Sequence, residues 1–151
     1  MKKLYFILSL LLTAVILPYN TFPQEKDIIE GKDMHSVKES YHSTLDEISA
    51  GITSGKIAAI ANLFSSQIYL NLFNSVSGYY SSNQAFYVVQ EFFKTHQVLS
   101  LNLNDIQEDE ENVYATGTYS YMVKGKIESS QIYICLKRSS KKWKITQITI
   151  N

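Results

Sequence analysis

The chain has 151 residues, 45% of them apolar and 19% charged, with acids and bases in equal number. That balance supports a packed globular domain and excludes charge-rich disorder, which needs low hydrophobicity and a strong net charge, and it lacks the basic excess of a nucleic-acid binder. A lone Cys135 cannot close an internal disulfide or furnish a cysteine zinc cluster.

Lys2 and Lys3 precede an apolar run from Leu4 to Leu17 that only Ser9 and Thr13 interrupt, and Pro18 and Asn20 then break it. A positive start followed by a short apolar stretch is the pattern of a secretory signal peptide. The run is shorter than the ~20 residues a membrane-crossing helix needs. Residues 1–24 are therefore expected to be a signal peptide, and the chain to be exported, periplasmic or secreted, with no stable membrane insertion after cleavage. Without Lys2 and Lys3 the remainder carries two more acids than bases, which strengthens the exclusion of nucleic acid.

Residues 25–42 open with Glu25, Lys26, Asp27, Glu30, Lys32 and Asp33 and read as a partly disordered leader. A single α+β domain is expected over 43–151. Ser43 is a candidate N-cap, and Leu45, Ile48 and Ile52 follow at helical spacing. A second short helix is expected from Lys56 to Phe64. Ile68, Leu70 and Leu72 alternate against Tyr69, Asn71 and Phe73, which predicts a strand over 67–74, and Ser75-Val76-Ser77-Gly78 reads as a turn. Ser81 with Gln84 forms a capping box ahead of a helix whose inner stripe is Ala85, Val88, Val89, Phe92 and Phe93. Four strands follow, Val98–Ile106, Val113–Val123, Ile127–Lys137 and Trp143–Ile150, and the short turns between them predict antiparallel hairpins. Helices and then a run of strands imply helices packed on one face of a curved, mainly antiparallel sheet.

Several segments together resemble a known family. Tyr80-Ser81-Ser82-Asn83-Gln84-Ala85, Phe92-Phe93, Tyr114-Ala115-Thr116-Gly117, Leu136-Lys137 and the closing Trp143-x-Ile145-x-x-Ile148-x-Ile150 are similar, in order and spacing, to an uncharacterised exported family of Bacteroidota, domain of unknown function 4783. The resemblance covers about residues 44–151 and departs from the family at the acidic segment Glu108-Asp109-Glu110-Glu111. It implies a nuclear transport factor 2-like or cystatin-like cone and brings no established activity. Cones of this kind often enclose a pocket between sheet and helices, and related ones often dimerise through the sheet.

An isomerase-like site in such a pocket requires a carboxylate in an apolar cavity facing a hydroxyl donor. Asp105 continues the face of Leu99, Leu101 and Leu103 at period two, and Tyr119 and Tyr121 share a face with the small Ala115 and Gly117. Asp105, Tyr119 and Tyr121 are therefore the candidate ligand-binding residues. The opposing reading places Asp105 at a strand rim and packs both tyrosine rings in the core. His96 ends the third helix, where an imidazolium suits the helix dipole. The histidines form no metal-binding motif, and no nucleophile elbow, phosphate loop or dinucleotide fingerprint occurs, so neither cofactor nor metal is expected. Lys137, Arg138, Lys141, Lys142 and Lys144 cluster at one hairpin as a solvated loop or an anionic contact. On the outer sheet face, Tyr114, Thr116, Thr118 and Ser120 are expected beside Tyr133, Trp143, Ile145, Gln147 and Thr149, a composition suited to an interface and hence to a homodimer. These observations favour an exported, non-catalytic domain that binds a small apolar ligand or a partner protein. The alternatives are an isomerase- or hydratase-like enzyme using Asp105 with a tyrosine, and a structural envelope component.

Overall fold

Apolar residues at spacings of four and three put Tyr41, Leu45, Ile48 and Ile52 on one buried stripe of the first helix, α1, Glu30–Thr53. The computed structural model describes residues 30–73 and 75–151; the expected signal peptide at 1–24 lies outside the described residues. α1 begins well before Ser43, which sits inside the helix rather than capping it, so the helix runs back over the segment read as leader. Polar residues there hid it, because a helix propagates through polar sequence when one stripe of its later turns is anchored by packing. Gly51 marks the anchor. A Cβ at that position would fall 2.5 Å from Ile60 Cγ2, on the short helix α2, Ile57–Ile60. A 3-10 turn over Ala61–Leu63 then hands the chain to the sheet. No helix among the described residues is long and apolar enough to cross a membrane.

Six strands follow: β1 Phe64–Leu72, β2 Val76–Ser81, β3 Gln97–Glu108, β4 Asn112–Val123, β5 Lys126–Ser139 and β6 Lys142–Ile150. They form one sheet in the order β2-β1-β6-β5-β4-β3, antiparallel throughout except for the parallel pair β1 and β6. β2 replaces the expected turn at 75–78. It is a short edge strand rich in serine, with Gly78 at φ 150°, a composition that carries almost no strand signal. Between β2 and β3 the chain crosses the inner face as α3, Ser82–Thr95. The Ser81 hydroxyl accepts from the Gln84 backbone N–H while the Gln84 side chain accepts from the Ser81 N–H, so the capping box forms as expected.

The inner face of the sheet and the helices share one core. Ile68, Leu70 and Leu72 of β1, Ile132, Ile134 and Leu136 of β5, and Trp143, Ile145, Ile148 and Ile150 of β6 are all buried with the α1 stripe and with Ala85, Val89, Phe92 and Phe93 of α3. No polar or charged residue is buried as a whole among the described residues. Burying a Leu- or Ile-sized side chain stabilises by ~1.5–3 kcal/mol, so this face is the main source of stability and its register is strongly specified.

The ladders carry irregularities that decide which residues face inward. β3 holds one residue more than β4 between Val98 and Ser100, and another between Leu103 and Asp105. β6 holds one more than β5 at Thr146. Each such bulge shifts the inward and outward sets by one residue, bends the strand and adds twist, and together they curl the sheet around α3.

Candidate functional site

An aromatic cluster forms on the inner face where α3 meets β4. Tyr119 and Tyr121 project inward from β4 and stack at 4.9 Å and 14°. Phe92 and Phe93 of α3 close on Tyr119, and Phe73, which follows β1, packs on Phe92 and Tyr121. His96 caps the C-terminus of α3. Its ring stacks on Phe92 at 4.4 Å and 17°, and its Nδ1 lies 3.1 Å from the Phe92 carbonyl oxygen. That is the helix-terminal position anticipated for this histidine. Thr95 Oγ1 donates to the same carbonyl at 2.9 Å, so the exposed end of the helix is sealed by two neighbouring side chains.

Both tyrosine hydroxyls are used within the fold. Tyr119 is fully buried and donates to the His96 carbonyl oxygen at 2.9 Å. Burial, and next the nearby Tyr121, push its phenol well above the ordinary value of 10.0. Tyr121 donates to Glu128 Oε2 at 3.1 Å across the β4–β5 pair. The rings thus fill the space in which a ligand was expected, and their polar tips are satisfied at its edge.

Asp105 does not join them. The bulge at Asn104 pairs Asp105 with Thr116, on the outer face, and leaves it exposed. Val98, Leu101, Leu103 and Ile106 take the inner positions of β3, while Leu99, the extra residue of the first bulge, is 40% exposed. Strict alternation from Leu99 to Asp105 therefore names the wrong face at both ends. The gap expected at Gly117 is also accounted for. A Cβ there would lie 1.9 Å from the Asn102 carbonyl oxygen, so glycine makes room for the bulged backbone of β3 rather than for a ligand. A carboxylate facing a tyrosine hydroxyl in one cavity is thus not assembled from Asp105, Tyr119 and Tyr121.

The acidic segment after β3 is a tight hairpin. Asp109 Oδ1 accepts from the backbone N–H of Glu111 at 2.9 Å and of Asn112 at 2.7 Å. These bonds, with the Asn112 side chain, hold its carboxyl below the usual 3.8. No group of three or more histidine, cysteine or acidic side chains among the described residues is placed to hold a metal.

The outer face differs from the expected one by the bulge at Thr146. Trp143 and Ile145, expected outside with Gln147 and Thr149, turn inward and are buried, and Trp143 meets Tyr41 of α1 edge-on at 6.0 Å. Tyr69 and Tyr79 take part instead, in edge contact at 5.1 Å. Tyr79 is 71% exposed; its strand was the one read as a turn, which is why this residue escaped sequence reasoning. Tyr114 and Tyr133 lie near-parallel at 6.3 Å, with Cys135 buried beside them. The centre of this face carries Asn71, Thr116, Gln131, Gln147 and Thr149 and no formal charge. A shallow recess of about 240 Å³ opens on it among Asn104, Thr116, Thr118, Gln131 and Tyr133. One buried side-chain oxygen among the described residues, Asn71 Oδ1, finds no hydrogen-bond partner, and it belongs to this face.

Solved structures share the fold. A DUF4783 family protein from Bacteroides uniformis superposes with a TM-score of 0.64 at 18% identity, over 70% of this chain and 94% of its own. Another from Bacteroides ovatus gives 0.61 at 19%, over 69% and 90%. A protein with a ketosteroid isomerase-like fold from Catenulispora acidiphila, solved in complex with trimethylamine, gives 0.57 at 13%, over 71% and 82%. At these identities the likeness shows the fold alone, an α+β cone of the nuclear transport factor 2-like kind. No curated protein matches the chain. A family model does match, over residues 45–151, from the second turn of the buried α1 stripe to Asn151, one residue past β6: the chain belongs to the family described as Domain of unknown function (DUF4783).

Proposed function

We propose that the protein is an exported, non-catalytic binding domain that works through the outer face of its sheet, and that a second copy of the chain is its first partner. The observation that carries this is the composition of that face: four tyrosines, Tyr69, Tyr79, Tyr114 and Tyr133, around a centre without formal charge. A two-fold interface sets a surface against itself, so a charge near its centre would meet its own copy, and like charges there cost several kcal/mol. The central strands of this face avoid that cost, the nearest charge being Asp105 on the edge strand β3, and tyrosine supplies large contact area with little conformational entropy to lose. The interior gives a small apolar ligand less support, because aromatic rings with satisfied hydroxyls occupy it.

Light scattering on the purified protein at tens of micromolar tests the reading. The expected result is a dimer mass for the natural chain and a monomer for Tyr133→Glu, with circular dichroism unchanged. A monomer mass for the natural chain across that range would sink the self-association. Turnover in an unbiased activity screen that survives Tyr133→Glu and vanishes with a change in the inner aromatic cluster would overturn the non-catalytic reading.

A further inference from the structure

A second surface, where the start of β1 parts from β6, carries chemistry of its own. The β1–β6 ladder pairs Phe64 with Ile145 and next Tyr69 with Gln147. Four residues of β1 thus pass a single residue of β6, Thr146, which is also the extra residue against β5. A strand that swings away from its neighbour leaves a gap, and a recess of about 460 Å³ occupies it, walled by Ser65, Ser66, Arg138, Ser139, Lys144 and Thr146. A second recess of about 300 Å³ adjoins it, among Thr44, Glu47, Asn62, Lys141, Lys142 and Lys144. Lys144 lines both. Its ammonium donates to the Asn62 carbonyl, which holds the side chain on the partition between them.

Basic side chains are concentrated here. Lys137, Arg138, Lys141, Lys142 and Lys144 are five of fourteen basic residues in a chain of zero net charge. Of the acids facing them, Glu111 pairs with Lys137 at 3.4 Å and Glu47 lines the second recess. Arg138, Lys141 and Lys142 form no ion pair among the described residues. Exposed single charges attract weakly. An oxyanion needs several donors, and the Arg138 guanidinium fork, the Lys144 ammonium and the hydroxyls of Ser66 and Ser139 line the first recess, whereas Ser65 and Thr146 donate within the fold to the Gln67 and Cys135 carbonyls.

We propose that the two recesses form one binding site for a small ligand carrying two oxyanion groups, phosphate esters or sulfates, one in each recess and both within reach of Lys144. The site is separate from the outer-face tyrosines and stands or falls independently of self-association.

Pyrophosphate titrated into isotope-labelled protein at low ionic strength, followed by amide NMR, tests it. Saturable shifts centred on Ser65, Ser66, Ser139, Lys144 and Thr146 are expected, with inorganic phosphate about tenfold weaker. Arg138→Gln and Lys144→Gln should each weaken pyrophosphate at least fivefold, and Lys124→Gln, on the distant β4–β5 turn, should not. Arg138 is exposed and serves where loss of the Lys144 bond to Asn62 loosens the chain. Shifts no greater than those from chloride at equal ionic strength, or an equal loss with Lys124→Gln, would overturn the site. Equal affinity for phosphate and pyrophosphate would overturn the joint use of both recesses.

Discussion

Replacing Gly117 by alanine tests the β3 bulge directly. The new methyl carbon would sit 1.9 Å from the Asn102 carbonyl oxygen, 2.8 Å from its carbonyl carbon and 2.8 Å from Leu103 Cα. All three are backbone atoms, so no side chain can rotate away. Carbon contacts settle at roughly 3.5 Å or more, and β3 would have to retreat by more than ~1 Å. That lengthens the hydrogen bonds around the Leu103–Gly117 and Asn102–Thr118 pairs past bonding distance. Two or three lost bonds at about 1 kcal/mol each give ~2–3 kcal/mol, in the range of overpacked sites. Alanine recovers ~0.4–1 kcal/mol by restricting the unfolded chain, which leaves a net loss of about 2 kcal/mol. With an unfolding entropy of ~2.1 cal/mol/K per residue over ~120 residues, the melting temperature should fall by roughly 8 °C. Gly125→Ala is the control: φ there is 77° and nothing lies within 4 Å of the added carbon, so only the left-handed strain of ~1–2 kcal/mol opposes the same entropy gain. Thermal unfolding by circular dichroism of both variants decides. A drop for Gly117→Ala below ~3 °C, or smaller than that for Gly125→Ala, would refute the close approach and with it the explanation for the outward turn of Asp105.

Three further outcomes follow from the same geometry. Ser81→Ala removes the capping box and should cost about 1 kcal/mol, read as a lower urea midpoint with an unchanged slope; an unchanged midpoint would contradict the cap. Tyr119→Phe should cost ~1–2 kcal/mol by leaving the His96 carbonyl unsatisfied. Because the folded-state pKa of Tyr119 is raised, its phenol favours folding in full below the ordinary value of 10.0 and loses that contribution as pH climbs above it. Stability of the phenylalanine variant should accordingly fall less steeply above pH 10, and an identical alkaline slope would count against the buried phenol. For Asp109 the sign is opposite. Its lowered pKa gives a contribution present above the ordinary 3.8 and lost as pH falls below it, and carboxyl-carbon NMR should place its midpoint below 3.8; a midpoint at or above that value would contradict the hairpin bonds.

Composition and periodicity were enough for the order of elements apart from β2, the capping box ahead of α3 and the bounds of the last four strands to within a few residues. Those features depend on local chemistry: a serine hydroxyl three residues from its N–H, or apolar side chains two apart. β2 and the early turns of α1 escaped because their sequence is locally silent. The early turns of α1 carry polar residues, and β2 is short and serine-rich, so each owes its conformation to what it joins.

The faces were a different matter. Period-two reasoning placed Asp105 inside and Trp143 and Ile145 outside, and one bulge in each strand, at Asn104 and Thr146, reversed all three. A bulge is set by how two strands curl past each other and by the space a glycine such as Gly117 leaves, and neither is a property of the strand that carries it. The residue types of a sheet are thus written in the sequence, but the side on which each one acts was decided only by the neighbouring strand.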